Sequence, residues 1–484
     1  MDRTRAGIIE ANGMPKIQEN PREFGLSGTF RRLARLARLA RMALFAALTL
    51  ACLSCHREPP RPRNIIFILV DTLRADHLGA WGYQRPTSPN LDAFLRGAVR
   101  FAGARSQASC TYPSVNSILT SRGPADFLGQ PGQSMGIPQG IPSLAEILRE
   151  HGYRTAAVSA SAIVRNTRTR FNPNGGFGRG FESFHEDCVW RHAECVNQAA
   201  QEQLRPAAEA ADKPLLLYLH YIDPHGPYQT PRDWPNKFAQ GRPDKKWVRI
   251  GDPNPIGDWL YKGKEKPDYT PEDFQYLQGL YDDEISYFDE RFADLLAVIR
   301  ANGLLENSLI VFTADHGEEF LEHGDLKHCR NLFDTTIHVP MAIRIPGVAG
   351  KVVEQPAQNL DLVPTILDYL GIDARKYRFE GRSLRPEVEG KKSPGNLQLA
   401  LIGGYRSASD GRFKLIENLA GKPPVLFDLK SDPGETHDVL AAQRRSYAVL
   451  REALNAWIAR DEGKGSADAS RAAQEKLRSL GYIQ

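Results

Sequence analysis

Leu309-Ile310-Val311-Phe312-Thr313-Ala314-Asp315-His316-Gly317-Glu318 opens on four apolar side chains and closes on a carboxylate beside an imidazole. A continuous apolar run of this length reads as a short strand buried on both faces. Open α/β sheets build their sites at the C-terminal edge of such strands. An Asp-His pair there offers one hard oxygen and one borderline nitrogen, a donor set suited to a divalent cation. A second run, Asn64-Ile-Ile-Phe-Ile-Leu-Val70, ends the same way, on Asp71.

Working outward, Thr155–Val158, Leu215–Leu219 and Val339–Ile345 read as further strands. Helical spacing covers 90–99, the stretch capped by Ser143, and a long helix from Pro271 to Ala301 with Leu280, Ile285, Phe288, Phe292, Leu295, Leu296 and Ile299 on one face. The glycine-rich 171–184 stretch reads as a loop; it lacks the spacing and the Lys-Ser/Thr of a phosphate-cradling motif. Residues 227–271 are proline-rich and read as a surface excursion over the site. Strands alternating with helices predict one α/β layer fold. After residue 372 the texture changes: 397–402, 413–416 and 425–429 read as a small antiparallel sheet, followed by a helix over 440–460.

The net charge of +4 is misleading, because residues 1–55 hold nine basic against four acidic residues and the remainder carries −1. A near-neutral body gives no electrostatic case for nucleic acid. The basic leader, with Arg31 to Arg41 followed by twelve mainly apolar residues from Met42 to Leu53, reads as a secretory signal too short to be an ordinary membrane span. Small residues before Cys52 and Cys55 resemble a bacterial lipoprotein signal. Export to the periplasm or cell surface is therefore expected, with membrane attachment through a lipidated cysteine at one of the two positions. The expected division is a leader over 1–57, a tether over 58–63, a catalytic domain over 64–372 and a C-terminal subdomain with tail helix over 373–484. Four further cysteines remain, Cys110, Cys188, Cys195 and Cys329; Cys188 could pair with Cys195, and Cys110 with Cys329, but spacing does not choose.

In Ser109-Cys-Thr-Tyr-Pro-Ser-Val115, a hydroxyl or thiol precedes an apolar helix. A nucleophile at a helix N-terminus gains from the dipole and from free N–H groups. Motifs of the same kind recur through the chain: Val70-Asp-Thr-Leu-Arg-Ala-Asp-His-Leu-Gly79, Leu219-His-Tyr-Ile-Asp-Pro-His-Gly-Pro-Tyr228, Thr313-Ala-Asp-His-Gly-Glu318, His338-Val-Pro-Met-Ala-Ile-Arg-Ile-Pro-Gly347, Asp361-Leu-Val-Pro-Thr-Ile-Leu-Asp368 and Leu426-Phe-Asp-Leu-Lys-Ser-Asp-Pro-Gly-Glu-Thr436. Together with the Leu-Gly-Tyr-Ile end, they resemble the sulfatase family in the right order over 64–484. The resemblance implies an α/β, alkaline-phosphatase-like fold: a large mixed sheet flanked by helices, with a smaller C-terminal antiparallel-sheet subdomain. It also implies metal-dependent cleavage of a small anionic sulfate or phosphate ester.

Carried over by position, Asp71, Asp315 and His316 resemble the metal ligands, with Thr111 as ligand and nucleophile. His225 resembles the histidine near the leaving group, and His328 lies near the place where relatives hold substrate oxygens with Lys or His; His323 reads as a loop histidine. One divalent ion is implied, Ca²⁺ being most usual for the family and Mn²⁺, Mg²⁺ or Zn²⁺ also compatible. The chain has Asp223-Pro-His225 where two-metal relatives show Asp-x-x-x-His. Two further departures matter. Family members oxidise the cysteine of Cys-x-Pro-x-Arg to formylglycine, whereas this chain has Thr111 and Val115 at the cysteine and arginine positions, with Cys110 one residue out of register. Thr72 also replaces a second aspartate. A threonine nucleophile favours phosphoesters, because water can resolve a phosphothreonine but has no easy route to a sulfated one. The alternatives are an arylsulfatase-like sulfuric ester hydrolase and an inactive relative that acts as a surface binding protein.

Overall fold

The structure is a computed structural model that describes seven residues between 33 and 42 and then residues 61–128, 136–169, 172, 175–209, 213–241, 270–391 and 397–462. The chain forms two compact units, Met1–Glu58 and Pro59–Gln484. In the first unit the described residues are helical. The expected apolar signal core, the acylation cysteines, most of the 227–271 excursion and the Leu-Gly-Tyr-Ile tail lie outside the described residues. No described helix is long and apolar enough to cross a membrane.

In chain order the second unit runs β1 (Asn64–Val70), α1 (Pro89–Arg96), β2 (Val99–Phe101), α2 (Thr111–Thr120), α3 (Leu144–Glu150), β3 (Arg154–Ser159), β4 (Ser183–His185), α4 (Ala193–Glu209), β5 (Leu215–Tyr221), α5 (Pro271–Ala301), β6 (Ser308–Ala314), β7 (Met341–Arg344), β8 (Lys351–Val353) and α6 (Leu362–Leu370), with short pieces between. A four-stranded antiparallel sheet follows, β9 (Gln398–Ile402), β10 (Tyr405–Ser409), β11 (Phe413–Asn418) and β12 (Val425–Asp428), and then α7 (Arg444–Glu462). The large sheet has eight strands in the order β8-β2-β7-β6-β1-β5-β3-β4. It is mixed: β1 is parallel to both β5 and β6, whereas β7 runs antiparallel to β6 and β2. The expected fold class, large mixed sheet plus small C-terminal antiparallel sheet, is the one observed.

Continuous apolar runs make the central strands because both faces of the sheet are covered. Side chains alternate along a strand, so Ile66, Ile68 and Val70 enter one core with α1, α4 and α5, while Ile65, Phe67 and Leu69 enter the other with α2, α3 and α6. Phe312 of β6 packs its ring against Phe292 at 5.7 Å and Phe288 at 6.4 Å. Truncating such a side chain to alanine costs ~3–5 kcal/mol. Helix α5 begins where Thr270 and Asp273 form a reciprocal cap with Pro271 between them.

Three local expectations change. The C-terminal sheet has a fourth strand, β10, whose polar Tyr-Arg-Ser-Ala-Ser sequence gave no apolar run. Ser183 and Phe184, read as the end of the glycine-rich loop, instead form with His185 a strand that pairs in parallel with β3 at the sheet's edge. The last helix runs over 444–462 rather than 440–460; its Leu450, Leu454 and Trp457 pack on Ala408, Leu415 and Leu426 of the small sheet.

Candidate active site

Strand register brings the site together. Val70 pairs with Ala314 on one side and Tyr221 on the other, so Asp71 and Asp315 leave the sheet at the same level. Both are buried. Asp315 Oδ1 accepts from the backbone N–H groups of Thr72 (3.1 Å) and His316 (2.8 Å). Thr72 turns its N–H inward by adopting a left-handed conformation (φ 57°), which Tyr281 secures by donating its hydroxyl to the Thr72 carbonyl at 2.6 Å. The residue that replaces the second aspartate thus contributes a backbone donor instead of a charge. Asp315 Oδ2 and Asp71 Oδ1 remain buried with no hydrogen-bond partner.

His316 donates from Nδ1 to the Gly317 carbonyl at 2.9 Å, which leaves Nε2 facing Asp315 Oδ2 (3.4 Å), Asp71 Oδ1 (3.8 Å) and Thr111 Oγ1 (3.2 Å). Thr111 is the first residue of α2, whose every residue is buried. Ser114 of that helix donates its hydroxyl to the Asp315 carbonyl at 2.6 Å and pins the helix to the site. Val115, at the family's arginine position, is a core residue with no exposure. Cys110 is bonded to Cys329, and Cys188 to Cys195. The sulfur beside Thr111 is therefore taken up by a bridge.

The structure adds residues that the sequence reading did not single out. His220, the penultimate residue of β5, is buried with Nε2 3.3 Å from Asp71 Oδ2, and its ligand nitrogen lies within 4.8 Å of carboxylate oxygens of Asp71 and Asp315. Glu318 accepts from His328 Nδ1 at 2.8 Å and from the Tyr228 hydroxyl at 2.9 Å, fixing the His328 ring. That ring lies 4.5 Å from His316 and 5.1 Å from His225, centre to centre. Lys327 is within electrostatic range of Glu318, His225 and His328. The structure thus brings Asp71, Thr111, Asp315, His316, His225 and His328 to one sheet edge. His323 stands apart: it bonds Glu319 (3.0 Å) and the Gly434 carbonyl (3.0 Å) and stacks on Phe333 at 3.7 Å.

Burial dominates the electrostatics. It raises Asp71 well above the usual carboxylate range, and the Asp315 charge raises it further. Burial opposes charge on His316, yet Asp315 and Asp71 outweigh it and shift that ring up. The packing around His225, with the charge of His328 next, holds it down at about 3. Burial likewise lowers His328, and brings His220 to about 4. Crowded, partly orphaned carboxylates thus lie among the rings of His220, His225 and His328, which are held toward their neutral form, and only the His316 ring is shifted toward charge.

The profile described as Sulfatase matches residues 63–372. The chain belongs to the sulfatase family. A second profile, N-sulphoglucosamine sulphohydrolase, C-terminal, matches residues 322–461. Among relatives, the choline-sulfatase of Rhizobium meliloti is 25% identical over 418 residues, spanning 77% of this chain and 81% of that protein. Human arylsulfatase A is 24% identical over 460 residues, 84% of this chain and 89% of its own. The phosphonate monoester hydrolase SpPMH from Silicibacter pomeroyi shares the fold, with TM-score 0.63 at 21% identity, covering 83% of this chain and 96% of that one. This sulfatase-family chain is an ester hydrolase of the sulfuric or phosphoric type.

Proposed function

We propose that this sulfatase-family enzyme cleaves a small anionic ester by in-line attack of Thr111, with phosphate esters preferred over sulfate esters. The observation that carries the reading is the position of Thr111 Oγ1, at a helix N-terminus and 3.2 Å from His316 Nε2, while the neighbouring Cys110 is held in a disulfide. A bridged cysteine cannot become formylglycine. The family is metal-dependent, and the donor set fits a cation: two buried carboxylate oxygens, Asp71 Oδ1 and Asp315 Oδ2, have no hydrogen-bond partner. Asp71, Asp315 and His220 would hold it, with His316 and Thr111 completing the set. The imidazole of His220 moves the preference from Ca²⁺ toward Mn²⁺ or Zn²⁺. A bound divalent ion would screen the anionic ester and lower the pKa of the attacking hydroxyl.

The remaining roles belong to the chain's own groups. Thr111 gives up its hydroxyl proton to solvent as Oγ1 forms a bond to phosphorus and the P–O bond to the leaving alcohol breaks; water then attacks phosphorus, breaks its bond to Oγ1 and releases phosphate. His225, neutral in the free site, would take up a proton from solvent as the anionic ester arrives and pass it to the leaving oxygen. Lys327 and His328, the latter oriented by Glu318, hold the non-bridging oxygens.

A rate panel with aryl sulfate, aryl phosphate, aryl phosphodiester and phosphonate monoester, after chelation and reloading with Ca²⁺, Mn²⁺ or Zn²⁺, tests the reading. Phosphoester turnover lost in Thr111→Ala and kept in Cys110→Ala is the expected result. Sulfate turnover dependent on Cys110 overturns it in favour of the sulfate reading, which the choline-sulfatase and arylsulfatase A relatives favour. An inactive binding protein is favoured by the buried Val115; metal binding without turnover of any ester would establish it. Export is part of the proposal: two disulfides fit an oxidising compartment, and lipid labelling of Cys52→Ser and Cys55→Ser variants would locate an anchor.

A further inference from the structure

A second cluster of ligand-type side chains lies outside the Asp71 centre and shares no residue with it. His192, Asp223 and Glu284 each place one ligand atom within 4.8 Å of the other two. Three elements supply them: the turn closed by Cys188–Cys195 at the start of α4, the loop that leaves β5 toward His225, and the middle of α5. Asp223 and Glu284 are each only 2% exposed. Among the described residues no lysine or arginine pairs with either carboxylate; His192 Nδ1, 2.8 Å from Asp223 Oδ1, is the one partner of basic type. Asp223 Oδ2 and Glu284 Oε1 are buried without any hydrogen-bond partner.

Two adjacent carboxylates out of water repel one another and need a proton or a cation between them. Burial, then the Asp223 charge, push Glu284 well above the usual carboxylate range, so a proton is the neutraliser when no cation is there. One shared proton, in a hydrogen bond between Glu284 and Asp223, pairs both oxygens but adds no link to the His192 ring. A divalent cation would satisfy both oxygens and the imidazole together.

We propose that His192, Asp223 and Glu284 form a structural site for a borderline divalent cation, Zn²⁺ or Mn²⁺, separate from the reaction centre. One nitrogen and two carboxylate oxygens suit these ions better than Ca²⁺. The side chain of His192, 38% exposed, leaves room for water as a further ligand. The ion clamps the loop that carries His225. Trp190 of the disulfide-closed turn already packs at a tilt against that ring, 5.4 Å between centres, so the same two segments would be joined at a second point.

Metal counting on the purified full chain tests this independently of any activity, and so independently of Thr111. Protein stripped with chelator, reloaded with Zn²⁺ and dialysed should hold two equivalents by mass spectrometry. Asp71→Asn/Asp315→Asn should hold one, Glu284→Gln one, and the three substitutions combined none. Zn²⁺ should raise the Tm of the Asp71→Asn/Asp315→Asn protein but not of that protein carrying Glu284→Gln. His192→Gln, which leaves both buried carboxylates in place, should weaken the second equivalent at least tenfold. Retention of the wild-type count by Glu284→Gln, or no zinc in Asp71→Asn/Asp315→Asn, overturns the proposal in favour of a shared proton.

Discussion

Removing the Cys110–Cys329 bridge separates two accounts of the nucleophile. The cysteines are 219 residues apart, and in the chain-entropy description a loop of that length adds ~5 kcal/mol by restricting the unfolded chain. The expected loss in Cys110→Ala/Cys329→Ala is smaller, ~2–4 kcal/mol, because engineered and native bridges commonly deliver less than the model value. Two contacts would survive to hold the segments: the Cys329 N–H donates to the Ser109 carbonyl at 2.6 Å, and the Ser109 hydroxyl donates to the Asn331 carbonyl at 2.7 Å. The assay is urea denaturation of oxidised, reduced and double-variant protein. The midpoint should fall, and the slope should rise, since an uncrosslinked chain exposes more surface. Activity under native conditions should stay within about tenfold of wild type, because Ser114 keeps α2 fastened to the Asp315 loop. Activity lost by a thousandfold with an unchanged midpoint would refute the reasoning: the sulfur would then be chemical, not structural.

Two further substitutions probe the site and its support. His220→Ala should weaken Mn²⁺ or Zn²⁺ binding at least tenfold by titration calorimetry while leaving the far-ultraviolet spectrum intact; unchanged affinity would remove His220 from the ligand set. His323→Gln should cost ~1–2 kcal/mol at pH 5 and much less at pH 9. Burial opposes charge on His323, but Glu319 outweighs it and raises the ring above its ordinary value, so its stabilisation is full below ~6.5 and fades as pH climbs through the higher folded pKa. A penalty that grows with pH would contradict that assignment.

The legible parts of the molecule were those with local signals. β1 and β6 announced themselves because burial on both faces demands unbroken apolar runs, and Asp71 and Asp315 followed as the first residues beyond them. α5 was legible over 271–301 through its apolar face. His220 was missed because it sits inside a strand read as wholly hydrophobic; a histidine one residue from the end of such a strand, opposite Leu69 in register, is the signal that could have found it. Glu318 ends the Thr313–Glu318 motif but was given no role there, and Lys327 lies in no motif. Lys327 joins the site through folding of a segment in which Lys327 and Cys329 both take positive φ (67° and 68°), tied back to Thr111's neighbour across 219 residues. No spacing rule chooses such a pairing, whereas the seven-residue separation of Cys188 and Cys195 made theirs at least geometrically reachable.

Charge explains how Thr72, in place of a second aspartate, bears on substrate. With Asp71 and Asp315 as the carboxylate ligands, a divalent ion is just neutralised, whereas a second aspartate at position 72 would make the ligand set net negative. A phosphate monoester carries close to two negative charges at neutral pH and a sulfate monoester carries one, so the added charge would penalise phosphate more. Thr72→Asp should therefore lower the ratio of phosphate to sulfate kcat/KM. The backbone accommodates the change: φ at this residue is 57°, a region that aspartate tolerates better than a β-branched threonine, and the N–H that supports Asp315 is retained. At an effective dielectric of 20, one extra charge ~5 Å from the substrate is worth ~3 kcal/mol per unit charge before solvent and ions reduce it. A tenfold or larger drop in the ratio is expected, read by paired kinetics on aryl phosphate and aryl sulfate. A ratio that stays level or rises, in a variant that still loads metal, would mean that ligand charge does not govern the choice between the two esters.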